Sequence, residues 1–241
     1  MAEIRLLRHA TLLVDVGETT LLVDPMLSAP GEIPPIPNSP NDRENPLVPM
    51  PDVELEYDAV LVTHRHRDHF DDAAADCLAA DDPILCQPAE AEAFREDGFE
   101  DVRPIEEALD YAGVKITRTP ARHGHGELTE QMGPVSGFVL ERKKRLYLAG
   151  DTVWYDAVPE TLDRHDPDAV VVNAGAAQFV EGEPITMDAD DVRRVREYVD
   201  DGVPVVADHL EAINHCLLTR EELRAAVDGV EIPEDGETVA V

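Results

Sequence analysis

Residues 63–70 read Thr-His-Arg-His-Arg-Asp-His-Phe and directly follow the apolar run at 59–62. This stretch places three histidines and one aspartate within six consecutive positions of a chain that has nine histidines in all. Histidine is the commonest metal ligand and the usual acid–base side chain near neutral pH. The cluster is therefore either a metal site or an accident of a polar loop, and the rest of the sequence has to decide between the two.

The pattern around this loop predicts an α/β fold for residues 1–241, taken as one domain. Three short apolar segments, at 4–7, 12–16 and 20–24, are joined by tight polar links and predict an antiparallel meander. From residue 59 onward strands and helices alternate, which is typical of sheets packed between helices. The predicted strands are 59–63, 84–87, 114–119, 137–141, 145–149, 169–173 and 203–207, and the predicted helices are 71–80, 89–97, 156–165, 188–200 and 221–228.

Further side chains that can bind a metal follow the predicted strands at their C-terminal ends. His123 and His125 come shortly after one strand, Asp151 follows another through a single glycine, and His209 follows a third. Sheets of α/β proteins gather their ligand sites at this edge. Because the loop at 63–70 also follows a strand, these placements favour a metal site over an accidental cluster.

The motif HxHxDH at residues 64–69, with a downstream histidine, a Gly-Asp pair at 150–151 and a final histidine, resembles the metallo-β-lactamase superfamily. The opening RHATLLVDVGETTLLVDPML, at 8–27, resembles the branch that contains L-ascorbate-6-phosphate lactonase and N-acyl phosphatidylethanolamine phospholipase D. AGDTVWYD, at 149–156, and VVADHLEAINHC, at 205–216, resemble uncharacterised β-lactamase-like hydrolases of that branch. The resemblance covers nearly the whole chain and implies an αββα sandwich, in which helices flank two mixed β-sheets.

The same resemblance implies a binuclear metal centre with a metal-bridging hydroxide as the nucleophile. Asp68 is implied both as a ligand and as the catalytic group that orients this nucleophile, whereas structural hydrogen bonds are favoured for His9 and Asp24. Imidazole and carboxylate ligands suit Zn²⁺, with Mn²⁺ or Fe as alternatives. The implied ligands are His64, His66 and His123 for the first ion, Asp68, His69 and His209 for the second, and Asp151 as the bridge between them.

Two ligand positions remain ambiguous in the sequence. His125 lies two residues after His123, and His215 lies six residues after His209. We favour His123, and we favour His209 because it is nearer to the end of its predicted strand. His215 is then predicted to face the substrate.

Arg122, Trp154 and His215 are the predicted substrate contacts. Arg122, like Arg65 and Arg67, is a neighbour of a predicted ligand, and a guanidinium matches carboxylates and phosphates with its planar fork. The lactonase-like resemblance implies a hydrolase of a small anionic ester, lactone or phosphodiester. The alternatives are a metal-binding protein without catalytic activity and an iron-dependent redox member of the superfamily.

Residues 28–52 are predicted to form a lid over the site. The stretch from Ser28 to Pro51 contains eight prolines, which prevents a regular helix or strand. Loops of this length inside a compact domain are uncommon and are usually functional or disordered. We therefore expect this segment to influence which substrates enter.

The charge of the chain excludes some partners. It has 52 acidic and 20 basic residues, a formal net charge of −32, and the acids are spread along the whole length. This composition resembles that of haloarchaeal proteins, in which salt screens the self-repulsion. A nucleic-acid partner would need a basic surface, and a membrane span would need about 18 consecutive apolar residues. We expect a cytoplasmic, halophilic protein that acts on a small molecule; a homo-oligomer is compatible with the sequence.

Overall fold

Thirteen strands and six α-helices form in the computed structural model, which describes residues 2–241. The strands are β1 (Ala2–Arg8), β2 (Thr11–Val16), β3 (Thr19–Val23), β4 (Ala59–Val62), β5 (Ile84–Cys86), β6 (Val102–Pro104), β7 (Ala108–Tyr111), β8 (Val114–Pro120), β9 (Ser136–Glu141), β10 (Arg145–Leu148), β11 (Ala169–Asn173), β12 (Val205–Asp208) and β13 (Thr238–Ala240). The helices are α1 (Asp72–Cys77), α2 (Ala91–Glu96), α3 (Glu127–Met132), α4 (Ala157–His165), α5 (Ala189–Tyr198) and α6 (Arg220–Ala226). Within residues 2–241, no helix combines the length and the apolar character that a membrane crossing requires.

The strands form two mixed sheets. The first sheet has seven strands in the order β13-β1-β2-β3-β4-β5-β6, and the second has six in the order β12-β11-β10-β9-β8-β7. In the first sheet β1 to β3 form the predicted antiparallel meander, and β3 to β6 pair in parallel. In the second sheet β7 to β10 are antiparallel, and β10 to β12 are parallel. Each sheet therefore has an edge at which several strands end and their loops meet.

A buried apolar cluster between the two sheets forms the central core. Leu6, Leu21 and Leu61 of the first sheet belong to the same cluster as Phe138 and Leu148 of the second. A second cluster joins the outer face of the second sheet to α4, α5 and α6, and a third joins the outer face of the first sheet to α1 and α2. The four layers are therefore helices, sheet, sheet and helices, and the predicted α/β sandwich is confirmed.

Short elements with little burial account for most differences from the predicted elements. β6, β7, β13 and α3 were not predicted; their residues are exposed or half-buried, so they lack a periodic apolar pattern. The helix predicted at 71–80 ends at Cys77, because Leu78 adopts an extended backbone and buries its side chain. At the last helix, Thr219 and Glu222 form a capping box.

The segment 28–52, predicted as a lid, contains no helix or strand and is held near both ends. The buried guanidinium of Arg8 donates to the carbonyl oxygens of Ser28, at 3.0 Å, and Val48, at 3.1 Å. Asn45 Nδ2 donates to Asn214 Oδ1 at 3.0 Å, and Asn214 N donates to Asn45 Oδ1 at 2.8 Å. The ends of the segment are thus anchored to the sandwich, and its role as a lid stays a prediction.

Candidate metal centre

The seven side chains predicted as ligands come together just beyond the strand ends. Four come from the loop after β4, and the other three follow β8, β10 and β12. Within each of two groups, the ligand atoms all lie within 4.8 Å of one another. The first group is His64, His66, His123 and Asp151, and the second group is His9, Asp68, His69 and His209.

The loop that carries four of these residues is fixed by backbone and aromatic contacts. Thr63 N, just after β4, donates to Asp24 Oδ1 at 2.7 Å. The amides of His69 and Phe70 both donate to His66 O at 2.9 Å, which closes a tight turn. The Phe70 ring packs edge-to-face against Phe94 with 4.9 Å between the centroids. The turn therefore holds its histidines in place before any ion binds.

In the first group, each imidazole has one nitrogen engaged by the surrounding protein. His123 Nδ1 donates to Ile185 O at 2.8 Å, and His66 Nε2 donates to Met132 O at 3.0 Å. His64 Nδ1 lies 3.0 Å from Thr63 Oγ1, and the Thr63 hydroxyl donates its own proton to Asp24 Oδ2 at 2.7 Å. The hydroxyl oxygen must therefore accept from His64. In the neutral form of each ring, these contacts place the proton on the outer nitrogen.

The opposite nitrogens of these imidazoles then present lone pairs to the interior of the group. His64 Nε2 and His66 Nδ1 are 2.9 Å apart, and His123 Nε2 is 3.3 Å from Asp151 Oδ2. Two acceptors that face each other at these distances repel unless a proton or a cation lies between them. The donor set therefore fits a bound metal cation, and imidazole with carboxylate is the ligand chemistry of Zn²⁺, Fe and Mn²⁺.

In the second group, His69 is oriented in the same way. Its Nδ1 donates to Asp24 Oδ2 at 2.8 Å, so that Nε2 faces His209 Nε2 at 3.2 Å and Asp151 Oδ2 at 3.3 Å. His209 Nδ1 has only the Cys216 sulfur as a hydrogen-bonding partner, at 3.5 Å. The second group therefore also directs ring nitrogens towards a carboxylate, but with weaker support from outside.

Asp151 lies between the two groups. Its Oδ2 is 3.3 Å from His123 Nε2, and its Oδ1 is 3.3 Å from His209 Nε2. Asn173 Nδ2, at the end of β11, donates to Oδ1 at 2.6 Å. Gly150 permits this placement, because it adopts a φ of 64° and a Cβ there would lie 2.8 Å from Ser136 O. Asp151 thus occupies the position implied for a bridging ligand.

The pKa directions in the centre follow from burial and from neighbouring charge. Burial, together with adjacent histidines, lowers the pKa of His64 and His209 well below the usual range. Burial alone would raise the pKa of Asp68 and Asp151, but the surrounding histidines lower both well below the usual carboxyl range. His69 has a raised pKa despite burial, because Asp151, Asp24 and Asp68 surround it. Burial favours neutral His64 and His209 beside these ionised carboxylates, so the centre requires compensating positive charge, which a protonated His69 or a bound metal supplies.

The structure distinguishes between the paired histidines. His123 is buried in the first group, whereas His125 is exposed at the surface. His209 is fully buried in the second group, whereas His215 lies outside both groups with its ring stacked on Phe179, at 6.2 Å between centroids. Burial lowers the pKa of His215 to about 4, so this side chain is neutral at physiological pH.

Two of the three predicted substrate contacts are engaged with other side chains. The Arg122 guanidinium lies 4.6 Å above the Tyr155 ring. Trp154 packs edge-to-face on Tyr198, at 5.8 Å, and its amide donates to Asp191 Oδ2 at 2.9 Å. A cavity lies beside the centre, and neither residue lines it. Their substrate-binding roles stay predictions.

That cavity has a volume of about 630 Å³, within the range of roughly 300–1,000 Å³ that is common for small-molecule sites. Its walls come from the 28–52 segment, from α3 and from the loop after β11. Residues on these walls include Asn38, Leu128, Met132, Phe179, Val180 and Glu181.

The residues that support the centre are only partly indicated by the sequence, which favoured a structural role for Asp24 without identifying its partner. Asp24 contacts His69, which is 45 positions away, and Asn173 contacts Asp151, which is 22 positions away. Both supporting residues stand at or just after a strand end, and this position could have indicated that they lie near the centre. The supporting carbonyls of Met132 and Ile185 leave no trace in the sequence, because every residue has a carbonyl.

Comparisons with known proteins agree with this geometry. The β-lactamase superfamily domain matches residues 19–227. The UPF0173 protein YddR of Bacillus subtilis is 36% identical over 96% of this chain and 97% of its own length. The chain belongs to the UPF0173 family of the metallo-β-lactamase superfamily. A UPF0173 metal-dependent hydrolase of Thermoplasma acidophilum is 27% identical over 66% of this chain and 65% of its own length.

Two solved structures resemble this UPF0173 protein along nearly its whole length. One is the isothiocyanate hydrolase from Delia radicum gut bacteria, with 34% identity, a TM-score of 0.92 and 99% coverage of both chains. The other is a possible metal-dependent hydrolase from Veillonella parvula, with 30% identity, a TM-score of 0.94 and 100% coverage of both chains. The predicted superfamily is therefore confirmed, and the chain is a metal-dependent hydrolase of this superfamily with a candidate metal-binding His/Asp site. The nearer resemblance to the lactonase branch stays a prediction.

Proposed function

We propose that this UPF0173 protein is a binuclear metal hydrolase that cleaves a small ester, lactone or phosphodiester. The observation that carries the proposal is the position of Asp151 between the two ligand groups. Its Oδ2 lies 3.3 Å from His123 Nε2 of the first group, and its Oδ1 lies 3.3 Å from His209 Nε2 of the second. The donor chemistry supports two divalent ions, with Zn²⁺ as the first choice and Mn²⁺ or Fe as alternatives.

The side chains of the centre would each perform a defined task. His64, His66 and His123 hold the first ion, and Asp68, His69 and His209 hold the second, with Asp151 shared between them. When bound, such an ion pair lowers the pKa of a shared water towards about 7 and polarises the bond to be cleaved. The Asp68 carboxylate, besides serving as a ligand, would orient the attacking water.

His9 positions this catalytic carboxylate. Its Nε2 lies 3.3 Å from Asp68 Oδ2, and both side chains are buried. The His9 ring also lies 3.7 Å, between centroids, from the His209 ring. His9 thus makes the structural hydrogen bond that the sequence favoured, and it makes that bond inside the metal centre.

A second candidate substrate class is the isothiocyanates. A solved relative with 34% identity over 99% of the chain is named an isothiocyanate hydrolase. The central carbon of an isothiocyanate is an electrophile that water attacks in the same manner as an ester carbonyl. The same centre could therefore serve both classes, with the cavity selecting between them.

Elemental analysis of the purified protein tests the binuclear centre. Because the acidic surface supports a halophilic, cytoplasmic enzyme, the protein is purified in high salt. We expect about two Zn, Mn or Fe per chain, a clear loss in His66→Ala, and no loss in His125→Ala, the control histidine at the surface. The active variants are then screened against esters, lactones, phosphodiesters and isothiocyanates.

Two results would contradict the proposal. A single iron with no hydrolysis of any substrate would favour a redox enzyme. A protein without bound metal in chelator-free buffer would favour a binding protein without catalytic activity.

A further inference from the structure

We propose that the cavity of about 630 Å³ binds the apolar part of an uncharged substrate and selects against anions. The inference rests on the proposed hydrolase function, because only that function makes the bound molecule a substrate. It departs from the anionic substrate that the resemblance to the lactonase branch implies, and it favours esters, lactones and isothiocyanates over phosphodiesters, which are anions.

The cavity borders the first ligand group. Met132 lines the cavity, and its carbonyl oxygen accepts from His66 Nε2 at 3.0 Å. Leu128 also lines the cavity, and its Cγ lies 3.7 Å from where a Cβ on Gly124, next to His123, would stand. The cavity is therefore separated from the first ligand group by no more than the residues that contact His66 and Gly124.

The cavity also borders the histidine that lies outside both ligand groups. Phe179 lines the cavity, and its ring is nearly parallel to that of His215, with an interplanar angle of 14°. Since the pKa of His215 is lowered to about 4, this neighbour contributes no positive charge near pH 7.

The walls present apolar groups to the solvent. Leu128, Met132 and Phe179 pack against an apolar cluster that includes Ile185 and Ile213. Val180, on the rim, is 66% exposed, which is unusual for a large aliphatic side chain in such an acidic chain. Exposed apolar groups around a concave site are typical of small-molecule binding.

The charges around the cavity disfavour anions. Among the described lining residues there is no lysine or arginine, and Glu181 contributes a carboxylate. The arginines beside the metal ligands are engaged elsewhere: Arg65 pairs with Asp97, and Arg122 stacks on Tyr155. Arg67 lines a different cavity, together with three aspartates.

Polar groups for orientation remain available on two walls. Asn38 and Gln131 both line the cavity and carry amides that can bind a neutral carbonyl or its analogue. Val180 N donates to Asn38 O at 2.7 Å, so the 28–52 segment and the opposite wall are joined at this point. The cavity thus combines apolar walls with uncharged hydrogen-bonding groups.

A pair of ligands that differ mainly in charge tests the inference. Methyl phenyl sulfone is neutral, and benzenesulfonate is an anion of nearly the same shape; both are weak metal ligands. Ligand-observed NMR titration of the protein, at the lowest salt concentration at which it stays folded, measures each dissociation constant. We expect the sulfonate to bind at least about fivefold more weakly, as one unscreened like charge at contact distance would cause.

Three variants locate the effect. Phe179→Ala should weaken sulfone binding about tenfold, because an aromatic contact is lost. Glu181→Gln should strengthen sulfonate binding and leave sulfone binding unchanged. Glu183→Gln removes a carboxylate from the same loop outside the cavity lining and should change neither constant.

Equal binding of the two probes, or sulfone binding that Phe179→Ala does not change, would overturn the proposal. Repeating the titration with His66→Ala separates this proposal from the hydrolase function, because probe binding needs no turnover. Sulfone selectivity that persists in this variant supports the cavity even if the metal analysis fails. Selectivity lost only in this variant would show that the metal centre, not the cavity, distinguishes the probes.

Discussion

The two ligand groups differ in how firmly the protein orients their imidazoles. In the first group, all three outer nitrogens donate to oxygen atoms, at 2.8 to 3.0 Å. In the second group, His69 alone has such a partner, the Asp24 carboxylate. His209 faces the weak acceptor sulfur of Cys216, and His9 Nδ1 is buried without a partner.

This difference predicts unequal affinity for the two ions. Outer partners of ligating histidines set the tautomer and raise the basicity of the ligand nitrogen. The second group also includes two residues with left-handed backbone, His9 with a φ of 59° and His209 with a φ of 63°. Such conformations cost of order 1–3 kcal/mol each in non-glycine residues. We therefore expect the second group to release its ion first when chelator is added.

Removing the shared carboxylate should abolish the difference in metal affinity between the two groups and have the largest effect on metal content and activity. Asp151→Asn takes a negative charge from both groups, so both ions should be lost and activity should fall by more than about 100-fold, the upper figure for an outer partner. Metal content and hydrolysis rate are measured together. Asp156→Asn, which neutralises an exposed carboxylate in the same connection, serves as the control. Retention of one ion by Asp151→Asn would show that the bridge serves a single group.

Weakening mainly the first group should narrow the difference. Thr63 Oγ1 also donates to Asp24 Oδ2, which accepts from His69 Nδ1, so the second group is affected less directly. Thr63→Val removes the oxygen that accepts from His64 Nδ1, so the tighter ion should bind about 10–100-fold more weakly. A chelator titration followed by elemental analysis resolves the two release steps. Thr161→Val, which removes a buried hydroxyl from α4, is the matched control. A shifted first release step with an unchanged second release step would reverse the assignment of the groups.

A histidine outside both groups should affect metal binding least. His215→Gln should leave the metal content unchanged, because His215 belongs to neither group. It should instead change the acid stability. The pKa of His215 is about 4 in the folded state, below the ordinary value of 6.5, so the unfolded chain binds more protons between these two pH values.

The contribution of His215 to stability is therefore present above pH 6.5 and is lost as the pH falls towards 4. The wild type should lose about 3 kcal/mol more free energy of unfolding than His215→Gln between pH 7 and pH 4. Denaturant titrations of both proteins across this range measure the difference. Parallel pH profiles for the two proteins would show that His215 is not held neutral by burial.

The sequence does not indicate that the two groups differ in the support of their imidazoles, although it indicates most of the residues that form them. The HxHxDH motif at 64–69 and the placement of His123, Asp151 and His209 just after strands indicated which side chains would meet. Strand ends gather loops at one edge whatever the loops contain. Partners such as Asp24 and Cys216 come from remote loops, and their pairing depends on the final packing.

The directions of the side chains beside the ligands were harder to predict, because neighbours along a chain need not point the same way. Arg65 and Arg122 adjoin metal ligands in the sequence, yet their guanidinium groups lie over Phe94 and Tyr155. The cavity walls include Phe179 and Val180, which no motif marks. α3 also contributes to these walls, and it was not predicted because none of its residues is buried.

The linear sequence was sufficient for the superfamily, the α/β sandwich and the set of side chains at the centre, because short motifs and apolar periodicity are local properties. The folded chain was needed to distinguish His123 from His125, to place His9 beside Asp68 and to form the cavity walls. These features depend on side-chain direction and on contacts between segments far apart in the chain. Such contacts exist only after the two sheets have packed against each other.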